Sequence, residues 1–471
     1  MAGGREQDVR AWRPEPTGVP GLDVVLGGGL LPEAAVLLAG PPGSGKTTLG
    51  LQVVVAGARR GEPGMVVTFE QPAAQLYRDA ARFGWDLRAL EREGLLRVVV
   101  TSPGVFLEEL LSNGLWHRRL QEFPTRRLLV DSLSHVVLEA GETAAARRRV
   151  FALINALRGH GLGVLLTWEA GAGAGGFVEY LVDTVIRLDY RLSPDNRYRR
   201  LLSVLKSRGQ AHLTGWHAFT FGPGGLTVYP AVGVVELPGA VPRTWEVLTT
   251  GVPGLDAMLG GGFPAGSAIL LSGPAGTGRT ILGLQMVHHV AAVLGEKAAI
   301  FLNEETPEVL NQVAASFGWP LERLVAEGRV HLDFTSLVEV DTDLVLGRMA
   351  RVLAEWQPAL VLVDSLGGLL HPVADYQGVV AEKLHTLRQL VRAAGCVAVL
   401  VNRQVLGQPY LSRFGLEEAV CDGVLLLDTF REAQRRYRVM EVYKLRRARH
   451  STGAYRFEIG PDGIRVFYVE V

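Results

Sequence analysis

Gly40-Pro-Pro-Gly-Ser-Gly-Lys-Thr47 stands between an apolar run at 35–38 and a helical pattern that opens Thr48-Leu-Gly-Leu-Gln-Val53. The glycines let backbone N–H groups turn inward around an anion. Lys46 brings a compact positive charge to the outer phosphates of a nucleotide, and Thr47 a hydroxyl for Mg2+. A glycine-rich turn can arise by chance, but strand, loop and helix in that order select a phosphate-binding loop. Gly40, Pro41, Pro42, Gly43, Ser44, Gly45, Lys46, Thr47 and the next residue, Thr48, are therefore expected to wrap ATP.

Working outward, the loop proves to be half of a duplication. Thr17-Gly-Val-Pro-Gly-Leu-Asp23, followed by Leu26-Gly-Gly-Gly29, returns as Thr250-Gly-Val-Pro-Gly-Leu-Asp256 with Leu259-Gly-Gly-Gly262, an offset of 233 residues. Gly40 maps to Gly273 and Asp131 to Asp364, and Phe83-Gly-Trp85 returns as Phe317-Gly-Trp319. A repeat this long means two whole domains and not a solenoid, since each copy can bury its own core. Residues 1–15 read as an N-terminal extension, 16–238 and 249–471 as the domains, and 239–248 as a linker around Pro238-Gly-Ala-Val-Pro242. The second loop, Gly273-Pro-Ala-Gly-Thr-Gly-Arg-Thr280, keeps Gly273, Gly276, Thr277, Gly278 and Thr280, with Ile281 next along its helix. It has Arg279 in place of lysine, and a planar guanidinium is no equivalent of an ammonium in a tight phosphate pocket. The chain has only five lysines, so a shift from lysine to arginine fits its composition, and the retention of Lys46 gains weight.

Within each copy, short apolar runs (35–38, 65–69, 95–100, 128–130, 163–167 and 184–188 in the first) alternate with longer helical patterns. Such runs fit strands covered on both faces by crossover helices. The expected fold is α/β: two tandem RecA-like P-loop domains, each a mostly parallel twisted sheet flanked by helices, with ligands at the carboxyl ends of the strands. Runs at 201–205 and 218–221, joined by short turns, are expected to add antiparallel strands.

The length of 471 residues suits two domains, and 48% hydrophobic with 20% charged residues is a globular profile. Lys plus Arg equals Asp plus Glu at 48 each, which excludes an overall basic field for nucleic acid or anionic membrane. With no secretory signal and no apolar stretch of about 18 residues, the expected location is the cytoplasm. Cys396 and Cys421 read as small buried thiols.

The chemistry needs acids as well. Leu128-Leu-Val-Asp131 and Val361-Leu-Val-Asp364 are apolar strands ending in Asp, each followed by Ser, placed to hold Mg2+ with Thr47 and Thr280. A carboxylate must also polarise the attacking water. Glu70, after the run 65–69, and Glu304 with Glu305, after 298–303, are the candidates, Gln71 replacing the second acid in the first copy. A helix-capping acid after a strand is the plainer alternative.

Taken together, these motifs resemble the KaiC family of RecA-superfamily ATPases, over roughly residues 16–470. Added to those above is a late Lys-x-Arg-Gly-x-x-His pattern, here Lys206-Ser-Arg-Gly-Gln-Ala-His212 and, degenerate, Lys444-Leu-Arg-Arg-Ala-Arg-His450. The resemblance implies a homohexameric ring with ATP between subunits, Lys206, Arg208 and His212 (and Lys444, Arg446 and His450) reaching the neighbour's nucleotide as arginine fingers do. It also implies a regulatory protein partner. In the clock member of the family the second domain autophosphorylates adjacent Ser and Thr; here those positions read Glu418 and Ala419. The expectation is a KaiC-like ATPase outside the phosphorylation clock. Alternatives are a DNA-interacting RecA-like ATPase, disfavoured because Gly171-Ala-Gly-Ala-Gly-Gly176 carries no positive charge, a scaffold whose ATP is structural, and a residual autokinase.

Overall fold

The computed structural model describes residues 13–112, 115–140, 144–169, 176–192, 198–231, 245–404, 411–432 and 435–468. The start of the N-terminal extension (1–12), the linker residues 239–244 and most of the glycine run (171–175) lie outside them. The chain forms two compact units, Met1–Ala231 and Val232–Val471.

The first unit holds β1 (Ala35–Gly40), β2 (Gly64–Thr68), β3 (Leu96–Val100), β4 (Arg127–Asp131), β5 (Gly163–Glu169), β6 (Thr184–Leu192), β7 (Tyr198–Ser207), β8 (His217–Gly222) and β9 (Gly225–Tyr229). They make one sheet in the order β3-β2-β4-β5-β1-β6-β7-β8-β9. Pairing is parallel from β3 across to β6 and antiparallel from β6 to β9. The central strand explains why its sequence does not alternate. Val36 and Leu38 enter the core on one face and Ala35, Leu37 and Ala39 the core on the other, so every position is apolar. The helix Lys46–Arg59 lies so close to the sheet that a Cβ on Gly50 would come within 2.6 Å of the Leu129 side chain.

In the second unit, β10 (Val247–Leu248) pairs antiparallel with β11 (Phe263–Pro264), so the element starts within the stretch read as a linker. The main sheet comprises β12 (Ala268–Gly273), β13 (Ala298–Leu302), β14 (Val330–Phe334), β15 (Leu360–Asp364), β16 (Val397–Arg403), β17 (Gly423–Glu432), β18 (Arg435–Leu445), β19 (Ala454–Gly460) and β20 (Gly463–Val466). Its order, β14-β13-β15-β16-β12-β17-β18-β19-β20, repeats that of the first unit.

One clamp recurs in both units. The Gln52 amide bonds to both the N–H and the carbonyl of Leu226, at 2.7 and 3.1 Å. Gln285 does the same to Ile464, at 2.6 and 3.1 Å. The P-loop helix is thereby tied to the last hairpin, which carries Phe221 in one unit and Ile459 in the other over the loop glycine. Cys396 and Cys421 are both buried, and no helix among the described residues is long and apolar enough to cross a membrane.

Candidate nucleotide-binding sites

The loop after β1 enters its helix through Gly45, at φ 102°. That φ lies outside the range side chains readily adopt, and a Cβ would sit 2.5 Å from Phe221 Cζ. Lys46 follows and is buried; its Nζ donates to the carbonyls of Gly40 at 3.0 Å and Pro41 at 2.9 Å. Burial lowers its pKa, opposed by the charges of Glu169, Asp131 and Glu70. Thr47 Oγ1 donates to Asp131 Oδ2 at 3.0 Å, and Thr167 on β5 donates to the other oxygen, Oδ1, at 2.5 Å. Both carboxylate oxygens are therefore held. Glu70, just past β2, places Oε1 2.6 Å from His135 Nε2, and His135 Nδ1 lies 2.9 Å from Ser132 Oγ.

Lys46, Thr47, Thr48, Glu70 and Asp131 share one cavity of about 330 Å³ with Glu169, walled by Phe83 and Phe221. The two rings stand 6.1 Å apart between centroids. The sequence does not single out Glu169, Thr167, Phe221 or His135 as site residues, although Thr167 and Phe221 end expected strand runs. Glu169 and Thr167 end a strand parallel to the P-loop strand, and that is the signal that points to them.

The second site keeps the outline and changes the contents. Arg279 is half-buried and bonded to the Asn402 carbonyl near the end of β16, and desolvation lowers its pKa. By register, Arg403 stands where the first unit has Glu169, since Gly273 pairs with Arg403 as Gly40 pairs with Glu169. Asp364 pairs with Val401, where the first unit has Thr167. Without that hydroxyl, Asp364 Oδ2 is buried with no partner among the described residues. Burial raises the Asp364 pKa to about 6; the Thr280 hydrogen bond and Arg279 oppose the rise, while Glu304 and Glu305 add to it. Glu304 Oε1 accepts from Ser365 Oγ at 2.5 Å, and Glu305 is exposed. The Asp131–Ser132 and Asp364–Ser365 peptide bonds are both cis.

The late basic residues are brought to neither loop within their own unit. Lys206 pairs with Val185, and the Arg208 N–H donates to the Asp183 carbonyl at 3.0 Å. Both lie at the end of the sheet where β1 begins, while the P-loop follows its other end. The strand between spans about 17 Å at roughly 3.3 Å per residue. Lys206 Nζ donates to the carbonyls of Glu179 and Val182, at 2.9 and 2.6 Å, and Arg208 to that of Tyr180 at 3.1 Å. Lys444 repeats this on Glu418 and Cys421, at 2.7 and 2.8 Å, and Arg446 on Ala419 at 3.1 Å. His212 lies in the loop between β7 and β8, and His450 Nδ1 sits 3.0 Å from the Ser451 carbonyl oxygen.

A parallel sheet with a lysine-bearing glycine loop at the carboxyl end of its central strand, opposite an Asp and a Glu, defines a P-loop nucleotide-binding protein. This chain carries the sheet and loop twice, with Arg279 in place of the lysine in the second copy. The family model described as "ATPase: KaiC" matches residues 15–233 and again 248–470, and the chain belongs to that family of ATPases. It is 29% identical to the circadian clock oscillator protein KaiC of Prochlorococcus marinus, over 95% of this chain and 91% of the relative. It is also 28% identical to the circadian clock protein KaiC3 of Synechocystis, over 96% and 91%, and 28% identical to the KaiC of Nostoc, over 95% and 88%.

Proposed function

We propose that this protein hydrolyses ATP chiefly at its first site and holds nucleotide at its second. The observation that carries this reading is the contrast in donors. In the first unit Lys46, Thr47, Asp131 and Glu70 line one cavity. In the second, Arg279 is bonded to a strand carbonyl and Asp364 has an oxygen without a partner among the described residues. A hydroxyl and a carboxylate 3.0 Å apart are a donor set suited to Mg2+, which would be held by Thr47 and Asp131, and by Thr280 and Asp364 in the second site. When bound, Mg2+ neutralises charge on the phosphates. Glu70 accepts the proton of the attacking water, and Lys46 and the loop N–H groups hold the phosphates.

Lys206 and Arg208, remote from their own loop, serve the site of the next copy in a homohexameric ring, and His212 belongs to the same set. The role is regulatory, through a protein partner, in the cytoplasm. Glu418 and Ala419 offer no hydroxyl, so the ring is not a Ser/Thr autokinase at those positions.

Lys46→Ala is expected to abolish most steady-state ATPase activity of the full chain, while Arg279→Ala leaves most of it. Equal losses would reverse the ranking of the sites. Intact mass after long incubation with Mg-ATP is expected to stay unchanged, and a phosphoryl adduct mapped to 416–422 would contradict that part. A second reading, in which ATP is only a structural ligand stabilising the ring, draws on the altered second site; it requires that Lys46→Ala cost stability without there being turnover to lose.

A further inference from the structure

The acid that follows β2 must present one carboxylate oxygen to water, yet Glu70 sits on a strand-end segment with its side chain 58% exposed. A free glutamate there spreads over several rotamers, and misplacement of a catalytic group by about 1 Å can cost about a hundredfold. The structure answers with an imidazole. His135 lies in the first turn of the helix Leu133–Ala140, 2.6 Å from Glu70 Oε1 by Nε2 and 2.9 Å from Ser132 Oγ by Nδ1. An ionised carboxylate only accepts, so Nε2 must carry the proton. In the neutral ring Nδ1 then accepts from the Ser132 hydroxyl. Tautomer and ring orientation are both fixed, and Oε1 is occupied, leaving Oε2 for water.

The second unit shows that this is not the only way to hold the acid. Ser365 donates to Glu304 Oε1 directly, at 2.5 Å, and itself accepts from the Gly368 N–H at 3.0 Å. Gly368 occupies the position of His135, three residues past the serine in each copy. A Cβ there would fall 2.1 Å from Asn303 Oδ1. Asn303 bonds both the N–H and the carbonyl of Ser365, at 3.1 and 2.9 Å. The second unit has no space for a ring. In the first, the residue matching Asn303 is Phe69, which packs away on Phe106 at 5.7 Å, and the imidazole takes the free space.

We infer that His135, oriented by Ser132, is a positioning residue that holds Glu70 in its productive rotamer, an arrangement special to the first unit. The inference rests on the reading of Glu70 as the base. His135 is not among the residues that line the cavity, so its loss should lower kcat and leave nucleotide affinity alone.

The test uses the full chain with steady-state ATPase rates, affinity for a fluorescent ATP analogue and thermal midpoints. His135→Ala is expected to lower kcat about 10- to 100-fold with affinity changed less than about twofold. His135→Gln, which keeps an N–H donor near the Nε2 position, should recover most of the rate. In a Glu70→Gln background His135→Ala should have no further effect, because the two act as a unit. Unchanged kcat in His135→Ala alongside a dead Glu70→Gln overturns the positioning role and leaves the base reading standing. Equal losses in Ala and Gln variants with weakened binding overturn it in favour of a structural role. Full activity in Glu70→Gln overturns both.

Discussion

Among the described residues, Asp364 carries a buried carboxylate oxygen without a hydrogen-bond donor, and its counterpart Asp131 does not. The difference traces to one methyl-for-hydroxyl exchange, Val401 for Thr167, on the adjacent strand. Its consequence can be worked out with sign. A folded-state pKa of about 6, raised from 3.8 by burial, means that the native state binds the proton more tightly than the unfolded chain does. The cost of the buried charge is therefore absent below about pH 4, grows as the pH rises through about 6 and is then constant. In metal-free protein, Val401→Thr should give Oδ2 its donor and pull that pKa down. The variant is expected to gain about 1 kcal/mol in the denaturant unfolding of the second unit near pH 8 and little near pH 4. A loss of equal size at both pH values would mean that the hydroxyl finds no acceptor. Lys46, Thr47, Asp131 and Asp364 were legible in the sequence because each sits in a local pattern, a loop or a strand end. Thr167 and Val401 were not. Their meaning comes from register across the sheet, which places strands joined by long crossovers side by side.

At the scale of elements, the phosphate loop depends on the last hairpin as much as on its own glycines. Phe221 on β8 lies over Gly45, and the Gln52 clamp on Leu226 fixes that hairpin to the P-loop helix. Gly45→Ala meets two costs, a φ of 102° and a clash with the ring. Strain of about 1–3 kcal/mol predicts a loss of nucleotide affinity of about 5- to 150-fold, measured by titration, with the unit still folded. An affinity equal to wild type would show that the loop adapts. The late basic motif teaches the complementary lesson. In sequence its second copy looks decayed, with Arg447 where the first has Gly209. In the structure Arg447 keeps the left-handed backbone, at φ 69° against 79° for Gly209, and bonds the Ser267 hydroxyl at 2.9 Å. The ion pair beside it is kept as well, Arg158–Asp183 and Arg388–Asp422 both at 2.8 Å. Side-chain anchoring substitutes for glycine, which no reading of residue identity alone would reveal. The strand runs, the duplication and the antiparallel additions were all legible, because patterns of burial write themselves directly into apolar runs. The walls of the cavity were not, since Phe83 comes from the crossover between β2 and β3, Glu169 from the end of β5 and Phe221 from the antiparallel strand β8.

For the molecule as a whole, the decisive matter is that each unit holds its own loop and its own Lys-x-Arg motif at opposite ends of one sheet. The carbonyls of Glu179, Tyr180 and Val182 keep Lys206 and Arg208 at the far end. Reaching the unit's own γ-phosphate would require spanning about 17 Å of strand, further than either side chain extends. Yet the first cavity, lined by Glu70, Asp131 and Glu169, has Lys46 as its one cation among the described lining residues. Charge developing on the phosphoryl group in the transition state calls for a second. If a neighbouring copy supplies it, a lone chain is catalytically incomplete while still able to bind. Arg208→Ala should then bind ATP with near-normal affinity and turn it over about a thousandfold more slowly. Lys46→Ala fails for the opposite reason: its loop is damaged but its Arg208 is sound. When the two variants are mixed, an interface formed by an intact loop from one and an intact arginine from the other should regain activity that neither shows alone. Turnover measured against mixing ratio, with hybrid assembly followed by native mass spectrometry, reads the outcome. Hybrids that form but remain inactive, or full-rate hydrolysis by a species that stays monomeric, would refute the shared site.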